Sequence, residues 1–149
     1  MILFQQVATA ALLIAATLGL QCAGVAVIVE WLKTGPLREA RNFPISRSAA
    51  LVMETTLAVV LLQGIIISLW AGSYRWLCLG SWNTAFYFSA VSYSTVGYGD
   101  VVLQPRWRLL GPLESMMGVL MCGISVSLLF ALIHRLIANE IPIQRGNPS

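Results

Sequence analysis

The sequence predicts an all-α membrane protein, with three transmembrane helices and one shorter helix that enters the membrane and turns back. Three observations carry that expectation. Of 149 residues, 58% are hydrophobic and 10% charged, and mean hydropathy is +0.79, whereas a soluble domain carries about a quarter charged residues. Ile2–Val29 is a run of 28 residues without a charge, more than the roughly 20 that cross a hydrocarbon core as helix. Finally, the polar strip STVGYGD (94–100), broken by two glycines, closes a region that has no charge from Trp76 to Gly99.

The first span, residues 1–33, ends at Glu30, Trp31 and Lys33. It reads as a true span and not as a cleaved signal. It has no basic n-region and is longer than an h-region of about 7–15 residues, and Gln21 before Cys22 does not fit a lipoprotein cleavage site. Residues 34–48 form a polar connector with Pro36, Pro44 and arginines at 38, 41 and 47, with room for a helical turn or two at the interface. The second span, 49–71, is interrupted only by Glu54. The last, 109–137, carries Glu114, Arg135 and the adjacent His134. Residues 138–149 read as a short tail, too short for a regulatory domain.

Between the last two spans, hydropathy by itself suggests a fourth crossing. Helix can run only from about Asn83 to Ser94 (element bounds 82–94), however, and twelve residues reach roughly 18 Å, about half the hydrocarbon thickness. Two glycines in the next five residues stop it. The segment therefore enters, halts and returns, and non-helical backbone at that depth is tolerated only where it is enclosed by protein or lines a water-filled path.

A re-entrant segment leaves its two flanking spans with ends on one side. Connector and tail hold six Lys/Arg (33, 38, 41, 47, 135, 145) against three on the re-entrant side (75, 106, 108). The positive-inside rule then puts the C-terminus in the cytoplasm and the N-terminus outside. Trp70, Tyr74, Trp76, Trp82 and Trp107 are expected to form an outer aromatic belt. Net charge is +3 and falls in these short loops, where it reads as topology and not as a nucleic-acid surface. Three scattered cysteines without a CxxC argue against a metal site or disulfide framework; Cys22 and Cys122 are expected to be buried, Cys78 less so. No HExxH, phosphate loop or nucleophile–base set suggests an enzyme, and no organic cofactor is implied.

AFYFSAVSYSTVGYGD (Ala85–Asp100) resembles the pore helix and signature filter of the tetrameric potassium-channel superfamily. The arrangement is most similar to small prokaryotic channels of two helices plus a pore loop, with one extra N-terminal helix. The resemblance covers roughly residues 50–137. It implies a homotetramer around a central pore in a bacterial cytoplasmic membrane, conducting K⁺ passively. The ion is coordinated by carbonyls of Thr95, Val96, Gly97 and Tyr98 and by the Thr95 hydroxyl, while Gly97 and Gly99 permit the alternating dihedrals that aim them. Val96 and Tyr98 side chains are then expected to pack on the short helix behind.

Several positions depart from the family pattern. Ser94 stands where threonine is commoner, and Val91 where some relatives place a glutamate paired with the filter aspartate. Tyr87 occupies the position of an indole that holds that aspartate in voltage-gated relatives, so a Tyr87 hydroxyl bond to Asp100 is expected, beside Phe88. Val102 replaces an aromatic ring that cages external tetraethylammonium. Gly118 and Gly123 on the inner helix read as hinges or as close-packing positions. Val119, Cys122, Val126, Phe130 and His134 share one face, with Phe130 a candidate hydrophobic gate.

An ionisable residue inside a span is a functional candidate. Glu114 reads as a brace for the pore helix through Ser, Tyr or backbone N–H groups, or else as a partly hydrated interfacial carboxylate. Glu30 and Glu54 are expected to pair with connector arginines, and His134 reads as a snorkelling or pH-sensing residue. No arginine-every-third helix serves as a voltage sensor. Gating would fall to the filter, the inner helices, lipid, tension or an unidentified partner. The rival readings are a poorly selective cation channel, a K⁺-transporter subunit and a non-conducting assembly protein.

Overall fold

The computed structural model describes residues 2–34 and 45–140. Four helices make up the fold: α1 (Ile2–Thr34), α2 (Ile45–Leu77), α3 (Trp82–Tyr93) and α4 (Leu110–Glu140). Among the described residues there is no strand. Three of the helices, α1, α2 and α4, are long and apolar enough to cross a membrane. At 1.5 Å per residue the 33 residues of α1 and of α2 reach about 50 Å, beyond a hydrocarbon core of about 30 Å. Their ends therefore project from the core or the helices tilt.

The outer helix is longer than the expected 49–71. It starts at Ile45 and continues through Gly72 and Arg75 to Leu77, because Trp70 and Tyr74 on the same face are both fully buried and lock that last turn and a half into the core. The inner helix likewise runs from Leu110 to Glu140. Residues 35–44 and 141–149, with the expected interfacial turn and most of the tail, lie outside the described residues.

The core has two parts. The larger joins Leu13 of α1, Leu62, Ile66, Trp70 and Tyr74 of α2, Ala85 and Tyr93 of α3, and Leu110, Met117 and Met121 of α4, with Leu103 and Trp107 from the loop between. The smaller gathers Ile28, Leu32, Val59, Leu132 and Leu136 at the other end. Helix α3 packs against α2 and α4, so two full spans flank it.

Two expectations are overturned by this packing. Cys22 and Cys122 are exposed, while Cys78 is the partly buried one, since both helical cysteines point away from the bundle's interior. The aromatic belt is thinner than expected. Trp76 and Trp82 are exposed, but Trp70, Tyr74 and Trp107 are buried, because the Thr17 hydroxyl and the Glu114 carboxyl inside the bundle satisfy the Trp70 and Tyr74 polar atoms.

Candidate ion-conduction site

Helix α3 is twelve residues long and opens at Ser81, whose extended backbone (φ −127°, ψ 139°) provides the N-cap without a side-chain bond. It closes at Ser94, whose N–H donates to the Ala90 carbonyl at 3.0 Å. The Ser94 hydroxyl also turns back to that carbonyl at 2.7 Å. The next residues hang from the same helix end. Thr95 N donates to Ser92 O, and Val96 N and Gly97 N both donate to Val91 O at 3.1 and 3.3 Å. The strip therefore begins at the negative end of the α3 dipole, which favours a cation.

Backbone geometry along the strip alternates. Thr95 (φ 62°), Gly97 (φ 55°) and Gly99 (φ 77°) are left-handed, and Val96 and Tyr98 between them are not. Alternation of that kind turns successive carbonyls toward a common side, which an ordinary strand does not do. Glycine adopts it freely. Thr95 does not, and a β-branched residue held there costs about 1–3 kcal/mol.

Asp100 ends the strip and is held on both oxygens. The Tyr87 hydroxyl donates to Oδ2 at 2.8 Å and Val101 N donates to Oδ1 at 3.0 Å. Hydrogen bonding to Asp100, followed by lesser desolvation and charge effects, holds the Tyr87 phenol above its ordinary pKa. Phe88 faces the other way, edge-on to Tyr74 with ring centroids 4.9 Å apart. Val96 and Tyr98 are 52% and 71% exposed in the single chain, so its own short helix leaves much of both side chains uncovered.

Glu114 is completely buried, not partly hydrated. Tyr74 of α2 donates to its Oε2 at 2.7 Å and Ser89 of α3 contacts its Oε1 at 2.5 Å. The inner helix thus braces the middle of α3. It also holds the helix end, where the Ser115 hydroxyl donates to Ser92 O at 2.6 Å. Gly118 is a packing glycine, since an added Cβ would lie 2.0 Å from the Tyr93 carbonyl oxygen. Gly123 has no atom within 4 Å of that position. Val119, Cys122, Val126, Phe130 and His134 are all exposed, with the Phe130 and His134 rings tilted at 35° and their centroids 6.2 Å apart. Glu30 and Glu54 are exposed, and arginines 38 and 41 of the connector lie outside the described residues.

A second polar chain escaped the sequence reading. Tyr93 OH donates to Gln63 Oε1, Gln63 Nε2 donates to Ser125 Oγ at 2.6 Å, and Gln21 Nε2 donates to the same oxygen at 3.2 Å. Four helices meet there. Isolated Gln and Ser residues in apolar runs were the available signal, since polar groups in spans need partners, but their pairing depends on helix rotation.

A family profile described as "Ion channel" matches residues 55–135, a span of 81 of the 149 residues, from within α2 through α3 and the strip to α4. The chain belongs to the ion-channel family. No curated protein and no solved structure matches it. As a member of this family the chain is a multi-pass membrane protein, and α1 lies outside the matched channel region.

Proposed function

We propose that the protein is a potassium-selective channel in which four copies surround a central pore and TVGYG (95–99) is the filter. The observation that carries this reading is the alternation of left-handed backbone at Thr95, Gly97 and Gly99. It lets several carbonyls replace a hydration shell at once, with a helix C-terminus behind them. Thr95, Val96, Gly97 and Tyr98 are the proposed K⁺ ligands, with Asp100 at the outer mouth. Transport is passive, and no residue set for coupling to another ion is required.

A fourfold arrangement is supported by what the single chain leaves uncovered. Val96 and Tyr98 project outward, and an open groove of about 370 Å³ lies beside the filter between Phe88, Val91, Thr95, Arg108 and Pro112. Neighbouring copies would cover both. The exposed stripe of α4 from Val119 to Phe130 would line the conduit, and Phe130 would narrow it by dewetting. The N-terminal end of α1 lies on the filter side, where Arg106 donates to Gln5 Oε1 at 2.7 Å. Together with the distribution of basic residues, this favours an external N-terminus in a bacterial cytoplasmic membrane.

Reversal potentials of the purified protein in planar bilayers under opposed K⁺ and Na⁺ gradients test the reading. A potential near the K⁺ equilibrium value, with unitary steps, is expected. A reversal near zero would indicate a poorly selective channel, and flux without unitary steps a carrier.

A further inference from the structure

The contacts around Glu114 need more protons than the neighbouring hydroxyls possess. Tyr74 OH lies 2.7 Å from Glu114 Oε2. Ser89 Oγ lies 2.5 Å from Glu114 Oε1 and 2.9 Å from the Ile67 carbonyl oxygen. That makes three oxygen–oxygen contacts, whereas each hydroxyl carries one proton, so Tyr74 and Ser89 supply two. With an ionised Glu114, Ser89 can satisfy either the carboxylate or Ile67, and the other pair faces oxygen to oxygen without a hydrogen. A carboxylic acid removes the deficit. Tyr74 then donates to Oε2, the acid O–H donates to Ser89 Oγ, and Ser89 donates to Ile67 O.

The surroundings point the same way. Glu114 has no exposed surface, and a buried charge is costly unless it is paired. Hydroxyls, not cations, occupy both of its oxygens. The titratable groups facing it are Tyr74 from α2 and Tyr93 from α3, with the Cys78 thiol beyond Tyr74. All three are neutral acids that become negative when they titrate, so none of them favours a second anion.

We propose that Glu114 is a proton-binding site, a neutral carboxylic acid whose proton completes the relay Tyr74–Glu114–Ser89–Ile67 and so ties α3 to α2. When the proton is lost to solvent, the carboxylate takes the Ser89 hydrogen and the bond to Ile67 breaks. The helix that carries the filter then loses its direct Ser89–Ile67 bond to α2, while its Tyr93–Gln63 bond and apolar packing remain. Glu114 is thus a positioning residue for the strip it never touches, and proton occupancy sets how firmly that strip is held. The conduction consequence rests on the proposed channel function; the protonation state does not.

Infrared spectra of the full chain in lipid bilayers read the proton directly. A carboxylic-acid C=O band is expected at neutral pH, lost in Glu114→Gln and lost from the wild type as pH is raised. A difference spectrum between wild type and Glu114→Gln containing only carboxylate bands overturns the assignment. In K⁺ flux into liposomes, the wild type should lose flux over the pH range in which the band disappears. Glu114→Gln should stay flat, because its amide donates to Ser89 and accepts from Tyr74. Identical pH profiles for the two overturn the positioning role. Should Glu114→Gln fail to assemble, Ser89→Ala removes the acceptor of the acid proton and should shift the band; an unshifted band refutes the relay. A wild type with the acid band but no potassium flux supports the proton site and counts against the conduction reading alone.

Discussion

A methyl group added at Gly118 would meet the Tyr93 carbonyl oxygen at 2.0 Å, while one at Gly123 would meet nothing within 4 Å. The two glycines are alike in sequence context and opposite in consequence. Gly118→Ala must push apart two backbones just below the filter. It should cost about 3 kcal/mol, at the upper end of overpacking effects, and lower the thermal stability of the protein in detergent. Gly123→Ala should leave that stability unchanged. Tyr87 is a different kind of position, because its hydroxyl bond to Asp100 is exposed and braces the outer end of the strip. Tyr87→Phe should hasten inactivation or lower the K⁺/Na⁺ permeability ratio in bilayer recordings; unchanged currents would remove Tyr87 from the filter's supports. Since the Asp100 bond raises the phenol's pKa, the contribution of that bond is complete below the ordinary tyrosine value. It fades only as pH rises through the elevated one, so the Tyr87→Phe effect should be constant across the neutral range. At the outer mouth the exposed side chain of Val102 offers no aromatic cage, and external tetraethylammonium should block weakly. These contacts differ in how legible they were. The Tyr87–Asp100 bond was readable because Tyr87 stands where relatives of the resembled family hold the aspartate with an indole, while the packing at Gly118 required the crossing of α3 over α4.

At the scale of elements, α1 is the one whose role the sequence described least well. Its alanine-rich run carries no charge before Glu30, and nothing in that run names a partner. It packs against α2 and α4 and is fastened at several depths. Gln6 Nε2 reaches the Pro105 carbonyl at 3.4 Å in the loop after the filter, and Trp70 Nε1 donates to the Thr17 hydroxyl at 2.9 Å in the buried interior. Gln21 reaches Ser125, and Ile28 and Leu32 join Leu132 and Leu136 at the far end. Ser125 accepts from two amides at once. Ser125→Ala should therefore cost about 1–2 kcal/mol, as expected for buried acceptors lost inside a membrane protein, measurable as a lower unfolding midpoint. Gln21→Leu should cost less, since it removes one of the two donors together with an amide oxygen that has no partner. A larger loss for Gln21→Leu than for Ser125→Ala would show that α1 is held mainly through this amide.

For the whole molecule, the informative surfaces are those that a single chain cannot cover. Val119, Cys122, Val126 and Phe130 form an exposed apolar stripe on α4, and Cys22 is exposed on α1. If four chains enclose a wet conduit along the α4 stripe, a charged, water-soluble methanethiosulfonate reagent should modify Cys122 and reduce current. Cys22 should remain unmodified in lipid, because thiolate formation and reagent access both require water. Cys78 should react slowly, since burial pushes its thiol pKa up. Current loss that persists in Cys122→Ser would move the conduit away from this face.

The order of spans, the half-length of the third helix and the site of its glycine-broken strip were determined by the sequence alone. They follow from charge spacing, from the rise of a helix and from the dihedral freedom of glycine, all of which act locally along the chain. The sequence also marked Glu114 as an ionisable residue inside a span. Only the tertiary structure decided what surrounds it. Which hydroxyls meet its two oxygens, that Trp70 and Tyr74 turn inward while Cys22 and Cys122 turn outward, and that α1 shares a polar junction with three other helices all depend on the rotation of each helix about its axis. In nearly uniform apolar spans the sequence pattern constrains that rotation weakly. It is set where a few buried polar groups find one another.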